Sequence, residues 1–151
     1  MDIRDFDKYF ARCTKELEQA IGADIPRIVA NRGVELFKHN FQQQGFFGRR
    51  WQDVKRRTNP PKSQLGKAST MRPILTGATG NLGRSIQARP GNASVTFSSD
   101  LPYSSAHNYG TNNAGRHHRT RIPQRQFMGD HPQIDQMVQK TIAEQLDKLF
   151  R

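Results

Sequence analysis

Apolar positions in the first third of the chain fall on a helical period. Phe6, Phe10, Cys13, Leu17 and Ile21 recur at three- and four-residue steps, and Gly22 stands where such a helix would stop. This predicts a first amphipathic helix over about 3–21. Asp24 and Pro26 read as a restart, a capping side chain followed by a proline close to the first turn. Ile25, Ile28, Val29, Leu36, Phe37 and Phe41 continue a second helix to about Gln44, whose apolar stripe is expected to pack on the first. Gly33 lies inside it and costs about 1 kcal/mol against alanine. Residues 45–73 lose the period. The aromatic group Phe46, Phe47 and Trp51 anchors a run of lysine, arginine, proline and serine, and Asn59-Pro60-Pro61 excludes a helix there. A basic, flexible loop is expected at about 52–72.

The pattern then shortens. Residues 82–89 and 93–98 flank Pro90-Gly91-Asn92 as a hairpin, and Val95 and Phe97 alternate with polar neighbours. Residues 104–108 form a helical turn stopped by Gly110, for which Tyr103 and Ala106 facing inward as ordinary core packing is one reading. A polar loop follows at about 111–121, then a brief strand over 125–128. Pro132 opens a last helix with Ile134, Met137 or Val138, Ile142, Leu146 and Leu149 on one face. The class is α+β: two N-terminal helices, a small antiparallel sheet of short strands and a C-terminal helix, in a single domain over 1–151.

Composition narrows the function. No run approaches the ~20 apolar residues that span a bilayer, so no membrane partner is expected. The opening Met1-Asp2-Ile3-Arg4-Asp5 has no apolar segment, which argues against a secretory signal and for residence in a cytosol. The single cysteine, Cys13, excludes an internal disulfide framework and sits in register with a helical stripe as a small hydrophobe. The net charge of +11 is concentrated: residues 45–125 hold fourteen basic side chains against Asp53 and Asp100 alone. That region faces an acidic partner or is heavily solvated.

No chemistry-bearing motif reaches catalytic spacing. Gly77, Gly80 and Gly83 are three apart, which is not a dinucleotide fingerprint, and no phosphate-loop lysine follows. His107, His117, His118 and His131 lack the spacing that converges imidazoles on a metal. Ser85, Ser104 and Ser105 have no nucleophile elbow around them. The expectation is no enzyme, no cofactor, no metal and no small-molecule substrate. The basic patch Arg49, Arg50, Arg56, Arg57 and Lys62 beside Phe46, Phe47 and Trp51 suits phosphate contact plus base stacking. Contact with an acidic protein, or solvation alone, fits it as well.

Several short motifs keep a recognisable order: Phe41; Gly48-Arg49-Arg50-Trp51; Ile74-Leu75-Thr76-Gly77; Leu82-Gly83-Arg84-Ser85-Ile86; residues 103–110; and Ile122-Pro123-Gln124-Arg125-Gln126-Phe127-Met128. The series resembles the phage virion morphogenesis family, the tail-completion proteins of Mu-like phages and prophages. It departs from that pattern in a longer insert between Gly77 and Leu82 and in Ser104-Ser105 before Ala106.

The resemblance implies a structural protein that completes the tail or joins tail to head. It would act as a ring of like subunits beside other tail and neck proteins, assembled in the host cytoplasm and carried in the virion. Arg125, Phe127, Tyr103 and His107 are the candidate subunit interface. For Arg125 and Phe127, a strand completing the chain's own sheet is an equal reading. The alternative function is a small basic nucleic-acid-binding protein using residues 49–72.

Overall fold

The computed structural model describes residues 3–151, with side chains from Asp5 onward. Met1 and Asp2, part of the N-terminal segment read above, lie outside the described residues. The elements are α1 (Ile3–Gln19), α2 (Ile25–Gln43), β1 (Gly45–Phe46), β2 (Arg49–Arg50), α3 (Lys55–Thr58), α4 (Ala68–Met71), α5 (Asn81–Arg84), β3 (Ile86–Gly91), β4 (Ser94–Ser99), α6 (Ser104–Tyr109), β5 (Thr111–Ala114), β6 (Thr120–Ile122) and α7 (Pro132–Leu149). The α+β class holds, with the strands distributed over three separate two-stranded hairpins. The chain divides into two compact units. One holds residues 1–34, 88–97 and 132–151, and the other holds 35–87 and 98–131.

In the first unit α1 does not stop at Gly22. A wide π-helical turn, Ala20–Asp24, carries it into α2 with helical dihedrals at both joints. Asp24 therefore caps nothing, and α2 follows α1 along one path, so the stripe of α2 does not pack on α1. Pro26 is the physical reason for the irregularity. It has no N–H for the carbonyl of Gly22 one turn earlier, and a helix absorbs such a missing donor by local widening. That carbonyl instead accepts the N–H of Ala93, in the β3–β4 turn, at 3.4 Å. Absence of a side chain at Gly22 matters here, because a Cβ would lie 3.0 Å from Asn92 Oδ1.

Ala20, Ile25, Val29 and Ala30 form the buried apolar part of this unit, with Thr141 of α7 fully covered. Thr141 satisfies its hydroxyl on the Met137 carbonyl at 2.8 Å and accepts from Arg32 Nη1 at 2.8 Å. Arg32 Nη2 meets Glu144 at 2.7 Å, and that hydrogen bond holds the Glu144 carboxyl below its usual range. Ile134, Met137, Val138, Leu146 and Leu149 are half-buried on α7, whereas Ile142 is turned outward. Among the described side chains of α1, Cys13 and Leu17 are half-buried, and Phe6, Tyr9 and Phe10 are exposed.

The second unit departs from expectation mostly in its loops. Residues 82–84 are the helical turn α5, so the strand begins at Ile86. The stretch read as a basic loop carries α3, a 3-10 turn over Lys62–Gln64 and α4, and Asn59-Pro60-Pro61 is indeed free of helix. Arg56 and Arg57 fold it back on itself, donating to the carbonyls of Met71, Arg72 and Pro73 at 2.7–3.3 Å. The polar loop at 111–121 contains the β5–β6 hairpin, which pairs Thr111 with Ile122 and Ala114 with Thr120 across a bulge. A sequence with almost no apolar residue pairs here because backbone hydrogen bonding needs none.

Gly33 shows why an unfavourable helix residue is placed in α2. A Cβ there would sit 2.3 Å from Cζ of Phe97 on β4. Gly33→Ala is expected to lose up to about 2 kcal/mol of stability in urea unfolding, because overpacking outweighs the ~1 kcal/mol gain in helix propensity. Adding Phe97→Leu should recover most of the loss; a stabilised single variant would show that the ring has room to move.

Candidate functional site

The segment 123–128 is the centre of the second unit, and it is not a strand. It leaves β6 at Ile122 and runs extended without a ladder partner, so its backbone polar groups need side-chain partners. Three residues supply them. Asn108 on α6 accepts the N–H groups of Phe127 and Met128 on Oδ1 at 2.9 and 3.1 Å, and donates Nδ2 to the Met128 carbonyl at 3.0 Å. Asn40 on α2 donates to the Phe127 carbonyl at 3.0 Å and accepts the N–H of Phe47 at 3.0 Å. The Trp51 indole donates to the Gln126 carbonyl at 2.6 Å. Both asparagines are buried.

The elements that aim these side chains follow from local sequence. The β1–β2 hairpin turns through Phe47 and Gly48, both at positive φ (45° and 92°). Glycine tolerates this, and Phe47 is held there by Asn40 and by stacking on the His131 ring at 4.3 Å. That turn delivers Trp51 to Phe41, with ring centroids 5.5 Å apart, and Phe41 to Phe127 at 5.2 Å. Gln44, also at positive φ, closes α2 on the Phe41 carbonyl and accepts the N–H of Ile74, which seats the Ile74-Leu75-Thr76-Gly77 motif. Gly110 ends α6 at φ 75°, and a Cβ there would lie 2.8 Å from the Gln124 backbone nitrogen. The helix stop expected at Gly110 is present as a positive φ, together with a close approach that the sequence did not signal.

The candidate interface residues separate on this framework. Phe127 is 0% exposed and Arg125 7%, so both serve the chain's own interior. Arg125 donates Nε to the Gln52 carbonyl at 2.9 Å and Nη2 to that of Asp53 at 3.2 Å, while its N–H bonds the His107 carbonyl. The expected strand over 125–128 is absent because these side-chain bonds replace a ladder. Tyr103 is 43% exposed, contrary to an inward-facing role; the buried residues of α6 are Ser104 and Asn108. His107 is half-buried with its ring edge-on to Tyr103. Burial, and then the charge of Arg125, keep its pKa below the ordinary value.

The basic patch separates too. Arg56 and Arg57 bond to their own chain, whereas Arg49 and Arg50 are exposed and border a groove of about 460 Å³ with Arg121. Lys62 is exposed on the 3-10 turn. Sequence reasoning missed Asn40, Asn108 and Gln44, the residues on which the segment depends. Nothing in their local pattern distinguishes them from surface amides.

Among the described residues no group of three or more His, Cys, Asp or Glu is placed to hold a metal, and no helix is long and apolar enough to cross a membrane. The chain is α+β, and in its second unit polar side chains hold one segment, 123–128, in place. The chain belongs to the phage virion morphogenesis family, whose sequence model matches residues 3–147. That family is structural, which fits a non-enzymatic role in making the phage particle. No curated protein and no solved structure matches the chain.

The clamp makes definite demands on stability. Phe127→Ala should cost about 3–5 kcal/mol. Asn108→Ala, which strands two buried N–H groups, should cost more than the ~1 kcal/mol of one ordinary hydrogen bond. Tyr103→Ala should stay within about 0.5 kcal/mol; guanidinium unfolding checks all three. The pH dependence has a defined sign. The unfolded chain binds a proton at His107 near pH 6.5 and the folded chain resists it, so stability is complete above that pH and falls as pH drops towards the depressed folded value. His107→Gln should shrink that acid-side loss relative to the native chain, read as Tm against pH.

Proposed function

We propose that this protein acts in virion assembly by completing the tail or joining tail to head, as a ring of like subunits in the tail or neck of the particle. Membership of the virion morphogenesis family supports the setting. The observation that carries the ring is the outer face of the first unit. Phe6, Tyr9 and Phe10 on α1 are 49–64% exposed, and Ile142 and Phe150 on or beside α7 are exposed as well.

Phe6, Phe10, Cys13, Leu17 and Ala20 are spaced by four, three, four and three residues, the seam of a helix that packs on another helix. The charged residues of α1 balance, Arg4, Lys8, Arg12 and Lys15 against Asp5, Asp7, Glu16 and Glu18, so a second copy meets no net repulsion there despite the charge of the whole chain. Magnitude sets the extent of the contact. Three half-exposed rings offer on the order of 300 Å², less than half the ~800 Å² each partner contributes to a stable interface. The α1 seam therefore needs the exposed part of α7, or a neighbour's equivalent, to complete it. A ring requires two different patches on each subunit, and α1 against a neighbour's α7 meets that requirement.

A nucleic-acid role has one supporting observation, the exposed Arg49 and Arg50 beside Arg121. It is weakened by the internal engagement of Arg56 and Arg57.

Light scattering at tens of micromolar should give a mass several times that of one chain. Phe6→Asp with Phe10→Asp should return monomer with helical circular dichroism retained. Mild oxidation discriminates geometry: a head-to-tail ring leaves Cys13 uncrosslinked, whereas efficient Cys13–Cys13 dimers would mean a two-fold α1 pair and sink the ring. Retention on duplex DNA at physiological salt, lost in Arg49→Glu with Arg50→Glu, would favour the nucleic-acid reading.

A further inference from the structure

Within the second unit, α3, the 75–79 turn, the start of α5 and the edge of α6 enclose a cavity of about 260 Å³. Its polar wall is one-sided. Arg56, Arg125, His107, Tyr103, Thr79 and Asn81 line it, and no carboxylate does. The nearby acid, Asp53, is engaged with Arg57 at 3.5 Å. Two nitrogens at this place are buried without a partner, Arg56 Nε and His107 Nδ1. Burial, and then mutual repulsion among the guanidinium groups, disfavour the charged forms of Arg56 and Arg125. Asp53 offsets part of this for both arginines, but it is shared with Arg57, so two cations beside an imidazole nitrogen without a hydrogen bond remain under-compensated unless an anion joins them. Guanidinium groups bind oxyanions through paired, charge-assisted hydrogen bonds.

We propose that this cavity is an oxyanion site that receives a carboxylate from an acidic segment of a partner protein. The inference goes beyond the ring reading and stands without it. A carboxylate is favoured over nucleic acid on two grounds. Besides Thr76 and Gly77, the remaining walls are the apolar Val54, Leu75 and Leu82, which suit the methylene stem of an acidic side chain. A duplex presents a charge every ~1.7 Å along its length and calls for an open track of cations, whereas these groups converge on one concave point.

The test follows the His107 ring resonances and heats of binding at constant ionic strength. The probes are glutarate, a hexaglutamate peptide, inorganic phosphate and a twelve-base-pair duplex. Glutarate and the peptide should saturate, the peptide more tightly. Arg56→Gln should weaken the peptide about tenfold, the loss of one charge-assisted hydrogen bond. Thr79→Val keeps the side-chain shape on an exposed position and should weaken it a few-fold; it decides the matter if Arg56→Gln does not fold. Lys62→Gln, outside the cavity wall, should change nothing. Absence of saturable binding by either carboxylate, or native-like binding in both cavity variants, overturns the site. Tighter saturation by the duplex than by the peptide overturns the assigned partner.

Discussion

One unpaired stretch of backbone organises the second unit. Residues 123–128 cross the interior without a strand beside them, and an unmet buried N–H or C=O costs about 1–3 kcal/mol. Asn40, Trp51 and Asn108 meet these groups one by one. Each comes from a different element, so α2, the β1–β2 hairpin and α6 are all fixed in place by the same segment. Phe127 then occupies the fully covered position among Phe41 and Trp51. The polar bonds set where the segment lies, and the aromatic packing supplies the larger share of the free energy.

The first unit is built on a missing donor. Pro26 leaves the Gly22 carbonyl without its helical partner, the helix widens through a π turn, and the β3–β4 turn caps the free oxygen with the N–H of Ala93. Gly22 and Gly33 are helical positions where side chains of the β3–β4 hairpin, Asn92 and Phe97, leave no room for a Cβ without a shift. Their cost in helix propensity is the condition for that approach. Residues that read as punctuation in the sequence thus act as contact points.

This difference explains what the sequence made legible. Helix periods at Phe6–Ile21, at Ile25–Phe41 and beyond Pro132 are legible because apolar residues repeat on one face every 3.6 residues, whether that face is buried, as along α2, or open, as at Phe6 and Phe10. The hairpin of Val95 and Phe97 was readable for the same reason at period two. Gly22 is no stop and Pro26 no start, because the β3–β4 turn caps the carbonyl that the proline leaves free and so allows it inside a continuous helical path. The strand over 125–128 was misplaced because extended backbone can be paired by amide side chains, and an isolated asparagine carries no periodic trace. The paired strands at 111–122 were unreadable for the converse reason: they are held by backbone bonds and bury almost nothing. Of the four candidate interface residues, Arg125 and Phe127 are buried within the chain, whereas Tyr103 is exposed and His107 half-buried, a division that their motifs do not signal.

Charge in this chain therefore has two fates that composition cannot separate. Arg56, Arg57 and Arg125 spend their donors on backbone carbonyls of their own chain, which stiffens segments that no sheet supports. Arg49, Arg50 and Lys62 stay outside. A carbonyl is a neutral acceptor: it satisfies a guanidinium's hydrogen bonds and leaves its charge. Where such groups collect, as at Arg56 and Arg125, carbonyls meet most of the donors, Arg56 Nε stays without a partner, and the positive charge is only partly offset by Asp53. A guanidinium can thus stiffen a fold through neutral acceptors and still keep its own charge, because a carbonyl takes the hydrogen bond and leaves the charge in place.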